Sequence, residues 1–333
     1  MSVGVVASRA RSPSARLPTA RYDVTVTSPD PMSTFLPLFV FGLIDGAIFA
    51  VAALGFTLQF GITNVVNFAY GEFITFGAYG VVIVNALGVH MSFWPTLIVG
   101  GISGAVLSFV IGRFLYGPFF KRRSQLLFSL VLTFAVSLIL FNLYLVIWGS
   151  GFRVLDTSSY PAGSADVHTV AGVAVTTLQV LFVVYAVICL VGAHLVLRYT
   201  RLGKSMRAIA DNRDLATVCG LNLARITNVT WLITGFLAGS AGIVEALQTT
   251  SFAPNLGDTF LYLVFASVVL GGIGRPVGAV LGAVIIGLVT QLSVPIVGSE
   301  VSPVSVFVVL VVLMLFRPQG LFGSTGRTSF AGG

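Results

Sequence analysis

The sequence predicts an all-α, polytopic integral membrane bundle of eight to ten transmembrane helices. Two observations carry that fold class. Of the 333 residues, 56% are hydrophobic and only 9% are charged, against about 25% charged in a soluble domain. The mean hydropathy is +1.00. Apolar residues also run nearly unbroken over Leu178–Leu197 and Val301–Phe316, near the roughly 20 residues that cross the hydrocarbon core as a helix. A chain so poor in charge cannot clothe a surface in water, which excludes soluble enzymes, nucleic-acid-binding domains and disordered proteins. An outer-membrane barrel would alternate polar and apolar residues in segments of roughly 10, and this chain does not. The 37 glycines suit helices whose backbones approach closely.

Each element follows in order. Residues 1–33 carry Arg9, Arg11, Arg16 and Arg21 among Ser and Pro and read as a disordered cytoplasmic tail. The apolar run after them is too long for a signal peptide. Apolar segments are expected at 34–61, 62–88, 92–117, 126–148, 176–198, 226–248, 258–272, 276–297 and 300–316, with a short C-terminal tail at 324–333. Positive charge marks cytoplasmic loops, which here hold Arg113, Lys121, Arg122 and Arg123, then Arg198 to Arg213, then Arg275 and Arg317. The polar loop 149–175, with Asp156 and Asp166, falls outside the cytoplasm. These marks account for the net charge of +7 without nucleic acid. Upstream of residue 113 the crossings do not close. A tail and a 113–123 loop that are both cytoplasmic need an even number, and three segments lie between them. Either one segment does not cross, or 34–61 is two short pieces, or the leader is outside; a broken or non-crossing element in 62–88, around Asn64, Asn67 and Glu72, is the favoured resolution.

Enzyme chemistry has no foothold. His90, His168 and His194 are scattered, and no HExxH occurs. Cys189 and Cys219 form no CxxC, so neither metal nor disulfide is expected. Asp258 follows Gly257 as in intramembrane aspartyl proteases, but no second intramembrane aspartate stands out to pair with it. The run Gly271-Gly272-Ile273-Gly274 lacks the GK[ST] of a phosphate loop and reads as a tight turn, so the chain is expected to carry no ATPase of its own.

Charge inside apolar segments is the informative feature. A carboxylate at membrane depth costs several kcal/mol unless paired or wetted. Asp45, Glu72 and Glu245 are therefore candidates for function or for capping broken helices. Asp45, Asn64, Asn67 and Glu72 make up the expected pathway-lining or helix-breaking set. The largest cytoplasmic loop, 201–222, predicts an amphipathic helix over 204–218. In that reading Met206, Ile209, Ala210 and Val218 share one side. Arg207, Asp211 and Asp214 are spaced i, i+4 and i+7, and Gly220 supplies the C-cap before Asn222. A membrane-parallel helix bearing both signs of charge is a docking surface, since lipid binding alone would favour a purely basic face.

Several motifs resemble one family. Asn67-Phe68-Ala69-Tyr70-Gly71-Glu72-Phe73 resembles the Asn-Phe-Ala-His-Gly-Glu pattern of branched-chain amino acid ABC permeases. Gly55-Phe56-Thr57-Leu58-Gln59-Phe60-Gly61, the 203–222 loop, Val269–Gly274 and Arg317–Gly323 fit the same family in order, covering residues 36–323. Tyr70 departs from the usual His, and Asp211 stands where related loops often carry Glu. The resemblance implies a permease subunit in a prokaryotic plasma membrane, paired with a second permease (a paralogue or itself). It implies two cytoplasmic ATPases that consume ATP and an extracytoplasmic binding protein that delivers the ligand. Gly203, Lys204, Arg207, Asp211, Asp214 and Gly220 would then form the segment presented to the ATPase. Permeases for urea, short-chain amides and some sugars look similar, and a solitary ion-driven transporter using Asp45 and Glu72 is the reading from another class.

Overall fold

The computed structural model describes residues 31–120, 126–155, 167–170, 172–299 and 301–322. The expected tail up to residue 30, the basic residues 121–123, the loop residues 156–166 and the tail from 324 lie outside them. Helix α1 spans Pro31–Thr63, so it starts three residues before the expected boundary. It is followed by α2 (Tyr70–Ala86) and α3 (Phe93–Val110), which runs through a π-helical turn, Ile111–Tyr116, into α4 (Gly117–Phe120). Next come α5 (Leu126–Trp148), a hairpin of β1 (Val167–Val170) and β2 (Val173–Thr176), and α6 (Thr177–Tyr199). The loop helices are α7 (Arg201–Asp211) and α8 (Arg213–Val218). The chain closes with α9 (Leu223–Gln248), α10 (Leu256–Gly271), α11 (Pro276–Val297) and α12 (Ser302–Phe316). Among the described residues, six helical stretches are long and apolar enough to cross a membrane. The polytopic helical bundle read from the sequence is present, with a short hairpin added to it.

The amphipathic loop differs from expectation. Instead of one helix over 204–218, the chain breaks at Asn212, whose side chain accepts from the Leu215 N–H at 2.9 Å and caps α8. An asparagine that satisfies a free N–H at a helix start competes with helix continuation. Met206, Ile209 and Ala216 are buried against Ile62 and Ile226, whereas Ala210 and Val218 are exposed. Thr200 caps α7 through the Gly203 N–H, and Asn222 caps α9 through the Arg225 N–H. Gly220 takes the left-handed conformation, φ +82°, as expected of a C-cap.

The bundle has two distinguishable ends. At one, Ile62 meets α7 and α8, Gly274 approaches Phe60, and the N–H of Leu321 donates to Leu270. Arg275 and Arg317, the expected inside markers, sit at this end. At the other, Arg153 and Phe252 exchange two backbone hydrogen bonds and Tyr79 stacks on Trp148. Helix α1 ends at the first, so it starts at the second. Its start and the α7–α8 loop therefore lie at opposite ends. The break in 62–88 is present, at residues 64–69, but it does not remove a crossing. Three traverses separate the start of α1 from α4, which places that start opposite the cytoplasmic marks.

The expected close approaches are real, and the tightest functional one joins α2 to α10. A Cβ added at Gly71 would meet Gly257 O at 2.9 Å and Asp258 N at 3.4 Å. Gly235 and Gly239 of α9 likewise pack on Gly104 of α3. By contrast, α5, α6 and α12 present exposed apolar residues such as Val131, Ile139, Val187, Val191 and Val311, as lipid-facing helices do.

Two outcomes follow. Gly71→Val lowers the unfolding temperature of the detergent-solubilised protein by several degrees, since overpacking costs about 1–3 kcal/mol; an unchanged melt contradicts the Gly71–Gly257 contact. A membrane-impermeant thiol reagent labels the exposed native Cys219 from one side and a Val89→Cys thiol from the other; labelling of both from one side contradicts the two-ended bundle.

Candidate functional site

Helix α2 has 17 residues and α10 has 16. At 1.5 Å per residue they reach about 25 Å, short of the roughly 30 Å hydrocarbon core. Each begins inside the bundle rather than at its surface. The chain turns at Asn64, which adopts φ +54° and closes α1 through its N–H to Phe60 O at 2.7 Å. Asn64 is exposed, so it acts as a helix terminator and lines no buried site. From Asn64 the chain re-enters the bundle over residues 65–69 to start α2. On the opposite side residues 249–255 descend to start α10. The two starts meet at Gly71 and Gly257.

Polar side chains hold that junction. Asn67 is 3% exposed, and its Oδ1 accepts from the Ala69 N–H at 3.1 Å and from Tyr116 Oη at 3.2 Å. The π-helical turn sets Tyr116 there, with Gly112 lying against the Trp231 ring. Tyr70, at the position where the resembled motif has His, is fully buried and donates to Ala52 O at 2.9 Å. Thr75 donates to Pro254 O at 3.5 Å and accepts from the Gly257 N–H at 2.9 Å.

Glu72 is 1% exposed. Its Oε1 accepts from Ser137 Oγ at 3.1 Å, while Oε2 is buried and has no donor among the described residues. Tyr144 Oη donates to the Glu72 carbonyl at 3.1 Å. The carboxyl of Asp258 lies near that of Glu72. Glu72 and Asp258 each occupy the first turn of their own helix, where the N-terminal dipole favours negative charge. The carboxyl nearest Asp258 is thus a glutamate, a neighbour that looking for a second aspartate does not consider. Its signal was present, because Gly257-Asp258 repeats the Gly71-Glu72 pairing of glycine and acid at a helix start.

Asp45 belongs to a separate cluster near the opposite end of the bundle from α7. It is 8% exposed, with Oδ1 accepting from Gln248 Nε2 at 3.0 Å and Oδ2 from Gln291 Nε2 at 2.6 Å. One carboxylate thus ties α1 to α9 and α11. Glu245, half-buried one turn before Thr249, faces the same carboxylate. The expected set Asp45, Asn64, Asn67 and Glu72 therefore separates. Asn67 and Glu72 share the junction, Asn64 precedes it on the surface, and Asp45 clamps three helices elsewhere. Gln248 and Gln291, which reading the sequence missed, stand out in hindsight as polar residues in apolar helices.

The loop residues fall on one structure. Gly203 is buried against Leu197. Lys204, Arg207, Asp211 and Asp214 are all exposed. Lys204 and Asp211 stand at the centre of the outer face of α7, opposite Met206 and Ile209. Arg207 stands at its edge, and Asp214 opens α8.

A multi-pass bundle with two short helices starting and meeting inside it, and a charged two-helix loop on one end, fits a membrane transport subunit of the permease class. The chain belongs to the family described as branched-chain amino acid transport system / permease component, whose model matches residues 38–317. It is 29% identical over 301 residues to the high-affinity branched-chain amino acid transport system permease protein LivH of Salmonella typhimurium, covering 87% of this chain and 96% of that one. Against the corresponding permease protein BraD of Pseudomonas aeruginosa it is 27% identical over 299 residues, with the same coverage. The ribose import permease protein RbsC of Escherichia coli is 33% identical over 110 residues, 31% of this chain and 34% of that one. No solved structure matches the chain.

Asp45→Leu leaves the two half-buried amides of Gln248 and Gln291 without this acceptor, at up to about 1–3 kcal/mol each. Its unfolding temperature falls well below that of Asp45→Asn, which keeps one oxygen acceptor; equal melts for the two variants contradict the three-helix clamp.

Proposed function

We propose that this chain is a permease subunit of an ATP-driven importer for branched-chain amino acids in a prokaryotic plasma membrane. Matches to two branched-chain permeases cover 87% of the chain, while the ribose permease matches 31% of it. That contrast supports the substrate class. A second permease, either a copy or a paralogue, completes the pathway. A binding protein outside the membrane delivers the ligand, and two cytoplasmic ATPases consume the ATP.

The observation that carries the coupling is the build of α7 and α8. Their apolar residues are anchored on Ile62 and Ile226, so the pair moves with α1 and α9. Of their exposed charged residues, Lys204, Asp211 and Asp214 lie away from the bundle and Arg207 stands at the edge of the outer face. Gly203 lets α7 pack closely on α6, and Gly220 ends the segment. An ATPase bound to that outer face would push on a rigid lever. Closure of the ATPase pair would then shift α1 and α9 against their neighbours, the interface rearrangement that switches inward and outward states. Asn67 and Glu72, at the meeting point of α2 and α10, lie where such a shift opens or closes the bundle interior.

In right-side-out membrane vesicles or proteoliposomes holding the full importer, with ATP inside and the binding protein outside, leucine uptake depends on ATP and persists when ion gradients are dissipated. Uptake that needs an ion gradient and ignores ATP contradicts the proposal. Exchanging the charges at Lys204 and Asp211, as Lys204→Glu with Asp211→Lys, lowers leucine-stimulated ATP hydrolysis at least tenfold, a loss of over about 1.4 kcal/mol of coupling, with the protein still in the membrane. Glu72→Leu lowers uptake while Glu72→Gln keeps part of it; normal uptake in Glu72→Leu removes Glu72 from the pathway.

A further inference from the structure

Arg207 does not share the outer face of α7 equally with Lys204 and Asp211. With Arg198 and His194 it rims a groove of about 430 Å³ between α1, α6 and α11. The groove walls are apolar and include Leu54, Leu190 and Leu281. Among the described residues, no acidic side chain lines it. The groove opens sideways between α6 and α11, two of the least buried spans in the bundle. Its charged rim is at the α7 end, where Arg275 and Arg317 also lie.

This arrangement selects its occupant by charge. An amino acid would need an acceptor for its ammonium group, and none is present. A neutral helix from another chain would leave two guanidinium groups at its edge without partners. An anionic phospholipid fits both parts, with an acyl chain against the apolar wall and a phosphate at the rim. The cytoplasmic leaflet carries the negative lipids, and basic pockets between helices on that side bind their head groups. Arginine matches a phosphate with paired N–H donors. We propose that the groove between α1, α6 and α11 holds one anionic phospholipid of the cytoplasmic leaflet, its phosphate on Arg198 and Arg207. The lipid then touches α7 beside the face proposed for the ATPase, which makes the lever sensitive to membrane composition.

The test is native mass spectrometry of the full chain purified in mild detergent with equal phosphatidylglycerol and phosphatidylethanolamine. One phosphatidylglycerol per chain survives activation that strips phosphatidylethanolamine. Arg198→Gln with Arg207→Gln lowers its occupancy roughly thirtyfold. Leu281→Trp, which fills the groove and keeps both guanidiniums, lowers it as well and stands as the test if the double variant fails to fold. Equal retention of the two lipids, or unchanged phosphatidylglycerol in both variants, overturns the proposal. So does a photo-crosslinker at Val280 that captures a second permease chain instead of lipid.

Discussion

The meeting of α2 and α10 constrains the rest of the structure. Two helix starts are brought together inside a membrane, where unpaired backbone N–H groups find no water. Each such group costs several kcal/mol, so the starts need local acceptors. Thr75 accepts the Gly257 N–H, Asn67 accepts the Ala69 N–H, and Glu72 and Asp258 place carboxyls at the two N-termini. The glycines at 71 and 257 then let the backbones touch. Once both helices start mid-bundle, α1, α3 and α9 must wrap them, and these helices carry much of the buried small-residue surface.

The asparagines and carboxylates in the membrane thus have two distinct jobs. At the junction, Asn67 accepts the Ala69 N–H and the Tyr116 hydroxyl where the backbone is irregular, and Glu72 accepts from Ser137. Away from it, Asp45 draws the amides of Gln248 and Gln291 across three helices, a clamp nearer the end that would receive ligand. In the proposed mechanism the junction is where the bundle interior would change as its halves move. The clamp and the α7–α8 lever act on opposite ends of the same two helices, α1 and α9. Movement at one end is therefore carried to the other along continuous helices.

Much of this was legible in the residues. Long apolar runs predicted the spans, and the basic residues at 198–213, 275 and 317 predicted one common end. The density of glycine predicted close packing. The misreadings have physical causes. Asn212 looks like an ordinary polar residue in an amphipathic pattern, and only its capping bond to Leu215 divides the loop helix. The basic leader weighed the count towards an inside start, whereas α1 reaches α7 only with its last turn and so begins at the other end, the outside-leader alternative; the leader itself lies outside the described residues. Glu72 and Asp258 are 186 positions apart, and no local pattern joins them. Their shared Gly–acid spelling is informative only once both are known to start helices.

The central claim is that the outer face of α7 meets an ATPase, and a site-specific cross-link reads it most directly. With Cys189 and Cys219 replaced by Ser and a photo-activatable cross-linker on a single new cysteine at Lys204 or Asp211, irradiation of native membranes should join this chain to a soluble ATPase subunit. The adduct should change when ATP is added. Cysteines at either position that cross-link to no ATPase, in membranes where leucine uptake is intact, would contradict the account.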